Sequence, residues 1–512
     1  MSVRTRFAPS PTGALHIGGI RTALYAYLFA KQNGGTFVLR IEDTDQGRFV
    51  AGAEDYIIAA LHWCGLPPDE GPRAGGDYAP YRQSERKAIY QKYAQQLIDN
   101  DWAYYAFDTP EALTAARSAA EAEKRTFRYD GSVRNELDNS LHLSAEQLQA
   151  RLDSGEPYTI RLKVPEDELV QIQDRVRGNV QFQSNELDDK VMLKADGMPT
   201  YHLANVVDDR LMQITHVIRG EEWLPSTAHH VLLYRAFGWE AEMPEFAHLP
   251  LILKPNGKGK LSKRDGAKFG FPVFPLDWEG ASPEDSFEGF KGAGYDPAAL
   301  VNFLAFLGWN PGTEQELFSL TELVEAFSLD QISKSGARFD IDKANWFNQQ
   351  YLKEMDDAAI VPHIKPLLAA AGRPVDDEAF LRRYAGLFKA RAHTYRELAE
   401  MGYYLFEPPR DYEEKMIRKK WKPAQRPVFE QLADRIAAVQ PFAADTIQAE
   451  VKAFAGEHGL GMGAIFPFLR LGTSGTMQGP GVFALIELLG PDETRERLRT
   501  AYAHFDAVKG ER

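Results

Sequence analysis

Strand-like segments alternate with an amphipathic stretch at the start of the chain. Val3–Ala8 and Thr36–Ile41 are short segments typical of buried strands. Between them, Gly18–Gln32 carries apolar residues at helical spacing, namely Ile20, Leu24, Tyr27 and Leu28. Gly34-Gly35 ends the predicted helix. This order predicts a parallel βαβ unit, half of a doubly wound nucleotide-binding domain whose ligands lie at the carboxyl ends of the strands.

The middle of the chain changes from helical to strand-like patterning. Ala53–Trp63 predicts a second amphipathic helix, and from about Tyr81 the sequence is helix-rich and charged. Three strand-like segments follow, at Tyr158–Val164, Gly178–Phe182 and Lys190–Lys194. We interpret this block as an α+β insertion between the two halves of the nucleotide-binding domain.

The second half of that domain resumes with Tyr201–Val207 and Gln213–Arg219, followed by a helix over Thr227–Phe237. Further on, Phe269–Lys291 is rich in Gly, Pro and Phe; we expect an ordered surface loop there and assign it no role. Beyond about Phe339 the periodicity is helical almost throughout, which predicts an all-α C-terminal half.

Composition is that of an ordinary globular protein with several domains: 512 residues, 44% hydrophobic and 26% charged. The net charge of −14 argues against general nucleic-acid affinity, so any RNA site must come from local basic clusters. The single cysteine, Cys64, excludes a disulfide within the chain and fits a reducing compartment. With neither a signal-like start nor a membrane-spanning apolar run, we expect a cytoplasmic protein.

Two segments indicate phosphate chemistry. His16-Ile17-Gly18-Gly19 follows a loop with Pro9, Pro11 and Gly13 and opens the first predicted helix. The unpaired N–H groups and the dipole of a helix N-terminus attract anions. Gly257–Arg264, with the sequence Gly-Lys-Gly-Lys-Leu-Ser-Lys-Arg, is cationic and glycine-rich, as suits a mobile loop that closes over a polyphosphate.

Together and in this order, the two segments resemble the HIGH and KMSKS signatures of class I aminoacyl-tRNA synthetases. The flanking segments are similar to glutamyl-tRNA synthetases: Arg6–Gly13, Arg40–Asp45, Tyr81–Arg86, Pro199–Asp209 and Val217–Trp223. The similarity is dense to about residue 265 and returns around Leu471–Thr473 and Leu488–Gly490.

The resemblance implies an α/β, Rossmann-type catalytic domain with an α+β insertion, followed by an all-α anticodon-binding half. It divides the chain into a catalytic domain over 1–82 and 201–250, an acceptor-binding insertion over 83–200, a connecting stem-contact domain with the Lys260–Arg264 loop over 251–350, and a helical anticodon-binding region over 351–512. It also implies ATP-dependent ligation of L-glutamate to tRNA(Glu) through a glutamyl-adenylate, with Mg²⁺ bound to ATP as the substrate complex.

The resemblance assigns catalysis to His16, Lys260 and Lys263. His16 would donate to the developing phosphoryl charge, and the two lysines would neutralise the triphosphate. The implied ATP-binding residues are Pro9, Ser10, Thr12, Gly13, His16, Gly18, Gly19, Lys260, Leu261, Ser262, Lys263 and Arg264. Leu261 replaces the usual methionine and keeps an apolar anchor.

For glutamate, the resemblance implies contacts from Arg6, Tyr201, Asn205 and Arg219, with Glu42 on the α-amino group. Arginine forks suit carboxylates. Ordinary ion pairs near strand ends are the alternative for Arg219 and Glu42. Because Arg6 and Arg219 lie on otherwise apolar strands, a bound carboxylate better explains their burial.

For tRNA, Arg391 falls at the position where the family selects the last anticodon base. The basic run Lys415–Lys422, interleaved with Trp421, is a second RNA candidate, although such a run is more often a solvated helix face. Some relatives carry a cysteine-rich zinc knob, but Trp102–Phe107 has no thiols, so we expect no zinc site.

Three alternatives stay open. A glutaminyl-tRNA synthetase would carry β-barrel anticodon domains, and a truncated relative that modifies queuosine in tRNA would lack the C-terminal half. A catalytically inactive tRNA-binding paralogue would lose residues such as His16 and Lys263. We expect a monomer, and the sequence leaves open whether tRNA(Gln) is also charged.

Overall fold

The structure, a computed structural model, describes residues 2–280 and 282–510. Met1 and Arg512, the outer limits of the predicted domains, and Ala281 within Phe269–Lys291 lie outside the described residues. The chain forms two compact units. The first comprises Met1–Gly292 and Leu300–Ile341, and the second comprises Ala293–Ala299 and Asp342–Arg512. The second unit therefore begins inside the predicted connecting domain.

The strands are β1 Arg4–Phe7, β2 Thr36–Leu39, β3 Ala103–Ala106, β4 Thr159–Leu162, β5 Leu169–Asp174, β6 Gly178–Gln183, β7 Val191–Leu193, β8 His216–Gly220, β9 Glu245–Leu249, β10 Ile252–Leu253 and β11 Ala337–Arg338. The helices of the first unit and the junction are α1 Ile17–Gln32, α2 Ala53–Trp63, α3 Lys87–Asp99, α4 Pro110–Ala122, α5 Ala145–Asp153, α6 Tyr201–Leu211, α7 Leu224–Ala236, α8 Asp265–Phe269, α9 Pro297–Ala305 and α10 Leu320–Ala326.

The remaining helices are α11 Ile341–Glu354, α12 Asp357–Ala370, α13 Glu378–Phe388, α14 Tyr395–Met401, α15 Glu414–Lys420, α16 Arg426–Ala437, α17 Ala444–Glu457, α18 Met462–Ser474, α19 Val482–Leu489 and α20 Pro491–Gly510. After β11, the described residues form no further strand, so the predicted helical half is confirmed. None of the helices within 2–280 and 282–510 has both the length and the apolar character needed to cross a membrane.

The main sheet has the strand order β2-β1-β8-β9-β5-β6. Neighbouring strands are parallel except for β5 and β6, which form an antiparallel edge. β1 pairs with β2 from Arg4↔Thr36 to Phe7↔Leu39, and α1 connects them, as the βαβ pattern predicts. This is a doubly wound sheet in which helices cover the faces.

One pair of strands lies outside its predicted domain. Leu169–Asp174 and Gly178–Gln183 belong to the segment interpreted as the insertion, yet they extend the main sheet beside β9. Without β5, the edge of β9 would present unpaired backbone groups, and pairing with β5 satisfies them. The insertion therefore contributes to the catalytic sheet, while β3, β4 and β7 form a separate antiparallel sheet.

The second unit contains two hydrophobic clusters. One, centred on Phe388 and Tyr384, packs α12, α13 and α14 together. The other surrounds Trp421, which is fully buried, stacks on Tyr502 at 5.5 Å between ring centroids, and donates from Nε1 to Asp506. The Trp421 ring is part of the core, so it is not available to RNA, and the exposed basic residues of Lys415–Lys422 stay a prediction.

Candidate active site

The candidate site lies where the strand order of the main sheet reverses. β2 lies on one side of β1 and β8 lies on the other. Doubly wound folds bind ligands outside the carboxyl ends of the strands at such a point. A cavity of about 670 Å³ opens here, lined by residues that follow β1, including Ala8 and Thr12, and by residues that end or follow β8, including Gly220 and Trp223.

His16 caps α1 and faces this cavity. Its Nδ1 accepts a hydrogen bond of 3.1 Å from the backbone N–H of Gly18, so the proton of the neutral ring is on Nε2. Nε2 is shielded from solvent and makes no hydrogen bond within the described residues, although the Ser262 backbone lies near it. Burial and the positive charges of Lys263 and Lys260 lower the pKa of His16 to about 4. The ring is thus a neutral N–H donor.

The cationic loop faces the first motif across the cavity. Lys260 donates from Nζ to Glu222 at 2.6 Å, and Leu261 is 2% exposed and anchors the loop. Ser262 donates to Asp265 from its backbone N–H and its hydroxyl. Burial lowers the pKa of Lys263, although its side chain is accessible from the cleft.

The two motifs approach each other closely at Gly13. A Cβ on this residue would lie 3.6 Å from Lys263 Nζ, and the φ of +128° favours glycine. Gly19 is required for another reason, since a Cβ there would lie 2.4 Å from a methyl carbon of Leu15. The predicted residues that line the cavity are Pro9, Ser10, Thr12, Gly13, His16, Gly18, Gly19, Lys260, Leu261, Ser262 and Lys263. Arg264 is exposed and is not part of this lining.

A buried network of three arginines and three carboxylates lies beside the cavity: Arg6, Arg40 and Arg86 with Glu42, Asp208 and Asp209. The ion pairs are Arg6–Asp209 at 3.2 Å, Arg40–Asp209 at 2.6 Å, Arg40–Glu42 at 3.0 Å, Arg40–Asp208 at 3.9 Å and Arg86–Asp208 at 2.8 Å. The charges in this network balance. Asp209 therefore accounts for the burial of Arg6, which we had attributed to a bound carboxylate.

Glu42 is held at the edge of this network. Its Oε1 accepts from Arg40 Nη2 at 3.0 Å and from Asn205 Nδ2 at 3.2 Å. Burial raises the pKa of Glu42, and the charge of Arg40 opposes this increase. Glu42 and Asn205 both line the cavity.

Arg219 differs from the other buried arginines because its partners are neutral. Its Nη1 donates to the Tyr201 hydroxyl at 2.5 Å, its Nη2 to Thr227 Oγ1 at 2.8 Å, and its Nε to His248 Nε2 at 3.1 Å. Arg219 is 5% exposed, and among the described residues it has no carboxylate partner. Burial lowers its pKa from the usual value. A buried cation without a counter-charge is costly, so this position is prepared for an anionic ligand.

Residues 2–346 match the family described as tRNA synthetases class I (E and Q), catalytic domain, and residues 358–502 match an anticodon binding domain. The chain belongs to this synthetase family. The glutamate–tRNA ligase of Flavobacterium johnsoniae is 52% identical over 499 residues, which cover 98% of this chain and 98% of that protein. The predicted resemblance to glutamyl-tRNA synthetases and the predicted fold class are thereby confirmed.

Solved structures agree with this assignment. The crystal structure of a glutamate tRNA ligase from Elizabethkingia meningosepticum, in complex with its amino acid, matches with a TM-score of 0.94 at 49% identity and covers 98% of this chain and 99% of that one. A glutamate-tRNA synthetase from Elizabethkingia anophelis matches with a TM-score of 0.92 at 49% identity, covering 98% of this chain and 100% of that one.

The Phe269–Lys291 segment of this synthetase packs against the helix that carries His16. Val273 accepts a hydrogen bond of 3.0 Å from the backbone N–H of Ile17, and the Phe274 ring meets the His16 ring edge-on at 5.9 Å. Phe287 stacks on Phe274 at 3.6 Å between ring centroids. The described residues of this segment therefore form part of the wall behind the site, a role that the sequence did not indicate.

Several residues of the site were missed from the sequence. Arg40, Asp208 and Asp209 occur within the motif segments, but their pairing is a long-range contact between α6 and β2 and the residues that follow it. His248 and Thr227 were not singled out at all. A histidine in the apolar strand Glu245–Leu249 was the available signal, since a fully buried imidazole needs polar partners.

In the second unit, Arg391 is exposed between α13 and α14. Its charge lies close enough to influence the buried side chains of Tyr404 and Arg470. Arg470 itself is held by the backbone oxygens of Gln478 and Pro480. Within 2–280 and 282–510, no cluster of three His, Cys, Asp or Glu side chains could hold a metal ion.

Proposed function

We propose that this chain joins L-glutamate to the 3′ end of tRNA(Glu) in two steps, of which the first consumes ATP. The observation that carries the proposal is Arg219, a buried cation with neutral partners, beside a network whose charges already balance. Glutamate, with two carboxylates and one ammonium, brings one net negative charge to this position. Glutamine brings none and would leave the guanidinium uncompensated.

In the first step, the α-carboxylate of glutamate attacks the α-phosphorus of MgATP, the bond to the β-phosphate oxygen breaks, and pyrophosphate leaves. We assign recognition of the side-chain carboxylate to Arg219 with Tyr201, and the α-ammonium to Glu42. Arg6 and Asn205 complete the amino-acid pocket. The protein contributes orientation and charge stabilisation, since phosphoryl chemistry requires little else from side chains.

Three residues act on the phosphates. His16 lines the cavity, and its neutral ring donates from Nε2, which has no hydrogen-bond partner among the described residues, to the phosphoryl oxygens. Lys263, opposite Gly13, neutralises the charge that moves onto pyrophosphate. Lys260 adds to this once it leaves Glu222 for the triphosphate. The other residues of the two motifs that line the cavity enclose the nucleotide, and Arg264 joins them when the loop closes.

In the second step, a hydroxyl of the terminal ribose attacks the carbonyl carbon of the adenylate, loses its proton, and AMP leaves. We propose that residues 83–200 hold the acceptor end, that 251–350 contact the stem, and that Arg391 reads the anticodon. We further propose that the enzyme acts as a monomer.

The deciding experiment is aminoacylation of purified tRNA(Glu) and tRNA(Gln), each with glutamate and with glutamine. We expect glutamate on tRNA(Glu), with glutamine rejected in both tRNAs. Transfer of glutamine would favour a glutaminyl enzyme, and tRNA binding without adenylate formation would favour an inactive paralogue. Arg219→Gln should raise the KM for glutamate about ten- to a hundredfold, the loss expected for a charged hydrogen bond of ~1.5–3 kcal/mol.

A further inference from the structure

Arg219 is oriented by a line of residues that crosses three strands. Arg219 on β8 is directly opposite His248 on β9, and β9 pairs in turn with β5 at Asp174↔Phe246. The side chains of His248 and Asp174 are both fully buried and lie 2.6 Å apart, from Nδ1 to Oδ2. A carboxylate, an imidazole and a guanidinium therefore form one hydrogen-bonded chain that ends at the cavity.

The hydrogen-bond donors in this chain fix the tautomer of His248. A guanidinium nitrogen can only donate, so Nε2 of His248 must accept the 3.1 Å hydrogen bond from Arg219 Nε. The imidazole proton is then on Nδ1, where it is donated to Asp174 Oδ2. A second proton on Nε2 would face the guanidinium, and burial together with the charge of Arg219 lowers the pKa of His248 below its usual value.

Asp174 is itself fixed by the backbone. Its Oδ1 accepts from the N–H groups of Val176 at 3.0 Å and Arg177 at 2.8 Å, and the N–H of His248 lies 3.2 Å from both oxygens. Burial raises its pKa, but the hydrogen bonds from the His248 ring and from the backbone N–H groups outweigh this, and the pKa lies below the usual value. Asp174 is an ionised acceptor in one fixed orientation.

We propose that Asp174 and His248 are positioning residues for amino-acid selection: Asp174 holds His248 as the Nδ1–H tautomer, and this tautomer aims the Arg219 guanidinium at the side-chain carboxylate of the substrate. This rests on the proposed function, in which Arg219 meets that carboxylate. Neither residue touches the substrate, so both act through Arg219. The same arrangement disfavours glutamine. The guanidinium, fixed in one orientation, presents only donors, and these face the NH₂ donors of the glutamine side chain.

Asp174→Asn is the sharpest test. The backbone N–H groups of Val176 and Arg177 require an acceptor, so the amide oxygen replaces Oδ1 and the amide NH₂ faces His248 Nδ1. The imidazole must then carry its proton on Nε2, where Thr227 Oγ1, 3.1 Å away, is the available acceptor, so Arg219 Nε loses its own acceptor and the guanidinium is no longer held in place. An exchanged tautomer of this kind abolishes most of the activity in a serine-protease triad, where an Asp→Asn change costs about 10⁴-fold.

We expect Asp174→Asn to raise the KM for glutamate about ten- to a hundredfold in ATP–pyrophosphate exchange with tRNA present, and to lower the glutamate-to-glutamine ratio of kcat/KM by a similar factor. The KM for ATP should change less than about threefold. The matched control is Asp189→Asn, which removes another fully buried carboxylate, paired with Arg134 at 3.0 Å, and should leave the KM for glutamate unchanged.

A double-mutant cycle separates this proposal from the proposed function. Combined with Arg219→Gln, Asp174→Asn should add no further increase in the KM for glutamate. If Arg219→Gln alone leaves this KM unchanged, the assignment of Arg219 is wrong. If Arg219→Gln raises it and Asp174→Asn does not, or if the two increases multiply independently, the positioning role is wrong.

The tautomer gives a readout that does not depend on activity. With ¹⁵N-labelled histidine, the wild-type His248 should give the resonances of a neutral Nδ1–H ring, assigned by their loss in His248→Phe, and Asp174→Asn should convert them to an Nε2–H ring. An unchanged tautomer would overturn the proposal. Should Asp174→Asn fail to fold, His248→Phe removes the acceptor of Arg219 Nε and must raise the KM for glutamate by a similar factor.

Discussion

The two ring nitrogens of His16 have different surroundings. Nδ1 caps α1 by accepting from Gly18, which leaves Nε2 as the protonated nitrogen of a ring that lines the cavity. Because the pKa of His16 is lowered to about 4, the ring stays neutral across the physiological range. In the proposed function, its contribution is then that of a fixed N–H dipole, not of a titrating cation.

The first prediction follows from this neutrality. His16→Ala should slow adenylate formation by ~10²-fold, the loss expected for one oriented donor. The ratio of wild-type to variant rates should stay constant from pH 6 to 8, since the folded-state pKa of about 4 lies below this range. Single-turnover adenylate formation at several pH values measures the ratio. A ratio that grows as the pH falls through 6.5 would mean that the imidazolium is the active form.

The second prediction concerns Lys263. Lys263→Ala should reduce adenylate formation by ~10²–10³-fold, because it removes a charge that is needed most as pyrophosphate departs. Lys258→Ala is the matched control, since Lys258 is an exposed lysine of the same loop that does not line the cavity. tRNA binding should be unchanged in both. Near-normal single-turnover activation in Lys263→Ala would exclude this lysine from the reaction.

Individual residues were predictable where a local motif carries them. The segments around His16 and Lys263 could be recognised in the sequence, because glycine, proline and charged residues occur there in adjacent positions. Asp174 and His248 do not, because they are 74 positions apart and meet only through strand pairing. For Arg6, burial alone predicted a bound carboxylate, whereas Asp209, on helix α6, supplies an internal one; the contact of Arg6 with glutamate stays a prediction.

At the scale of elements, the N-terminus of α1 is held from both sides. The strand β1 positions it from the sheet, and the Phe269–Lys291 segment holds it through Val273 and Phe274. Tyr56 on α2 also holds this segment in place, since its hydroxyl donates to the Leu276 carbonyl at 2.6 Å. The segment therefore restrains the His16 ring, which we propose donates to the phosphates.

The third prediction tests this restraint. Phe274→Ala should slow adenylate formation about tenfold or more, because a small misplacement of a catalytic group can cost ~10²-fold. Phe287→Ala removes the stacking partner of Phe274 without contacting His16, and should stay within about threefold of the wild type. Both variants should be compared by thermal melting first. Equal losses in the two would mean that the segment contributes only stability.

The elements with local periodicity were predicted closely. β1, α1 and β2 lie within one or two residues of their predicted limits, and α2 matches its predicted span, Ala53–Trp63. The sheet to which a strand belongs was less predictable. β5 and β6 lie in the segment that we interpreted as an insertion, because a strand pattern does not specify its pairing partner. The Tyr201–Leu211 segment, which resumes the second half, is a helix rather than a strand, and its buried face presents Asn205 and Asp209 to the network.

The first unit contains the candidate active site, and the helical second unit matches an anticodon binding domain. The fourth prediction is that glutamate-dependent ATP–pyrophosphate exchange requires tRNA, as the family resemblance implies. In this structure Lys260 is paired with Glu222 at 2.6 Å, and we expect this pair to open for the triphosphate when tRNA binds. Exchange should be measured without tRNA, with tRNA(Glu), and with tRNA(Glu) oxidised at its terminal ribose. Robust exchange without RNA would contradict the coupling.

The last prediction concerns which tRNA the molecule accepts. Glutamate and glutamine anticodons share their second base and differ at the third, cytosine against guanine. Arg391 is exposed and presents donors only, which match the O2 acceptor of cytosine, whereas guanine would bring its own N–H donors and greater bulk. A donor facing a donor in a desolvated contact costs about 1–3 kcal/mol, or roughly ten- to a hundredfold in discrimination.

Arg391→Gln should therefore lower the tRNA(Glu)-to-tRNA(Gln) ratio of kcat/KM by about this factor, because an amide can both donate and accept. The control is Arg382→Gln, an exposed arginine on the preceding helix, α13, which should leave the ratio unchanged. If Arg391 only holds a phosphate, the variant weakens both tRNAs equally and the salt dependence of binding becomes shallower. An unchanged ratio with both values reduced would thus assign Arg391 to the backbone and leave anticodon selection to other residues of the second unit.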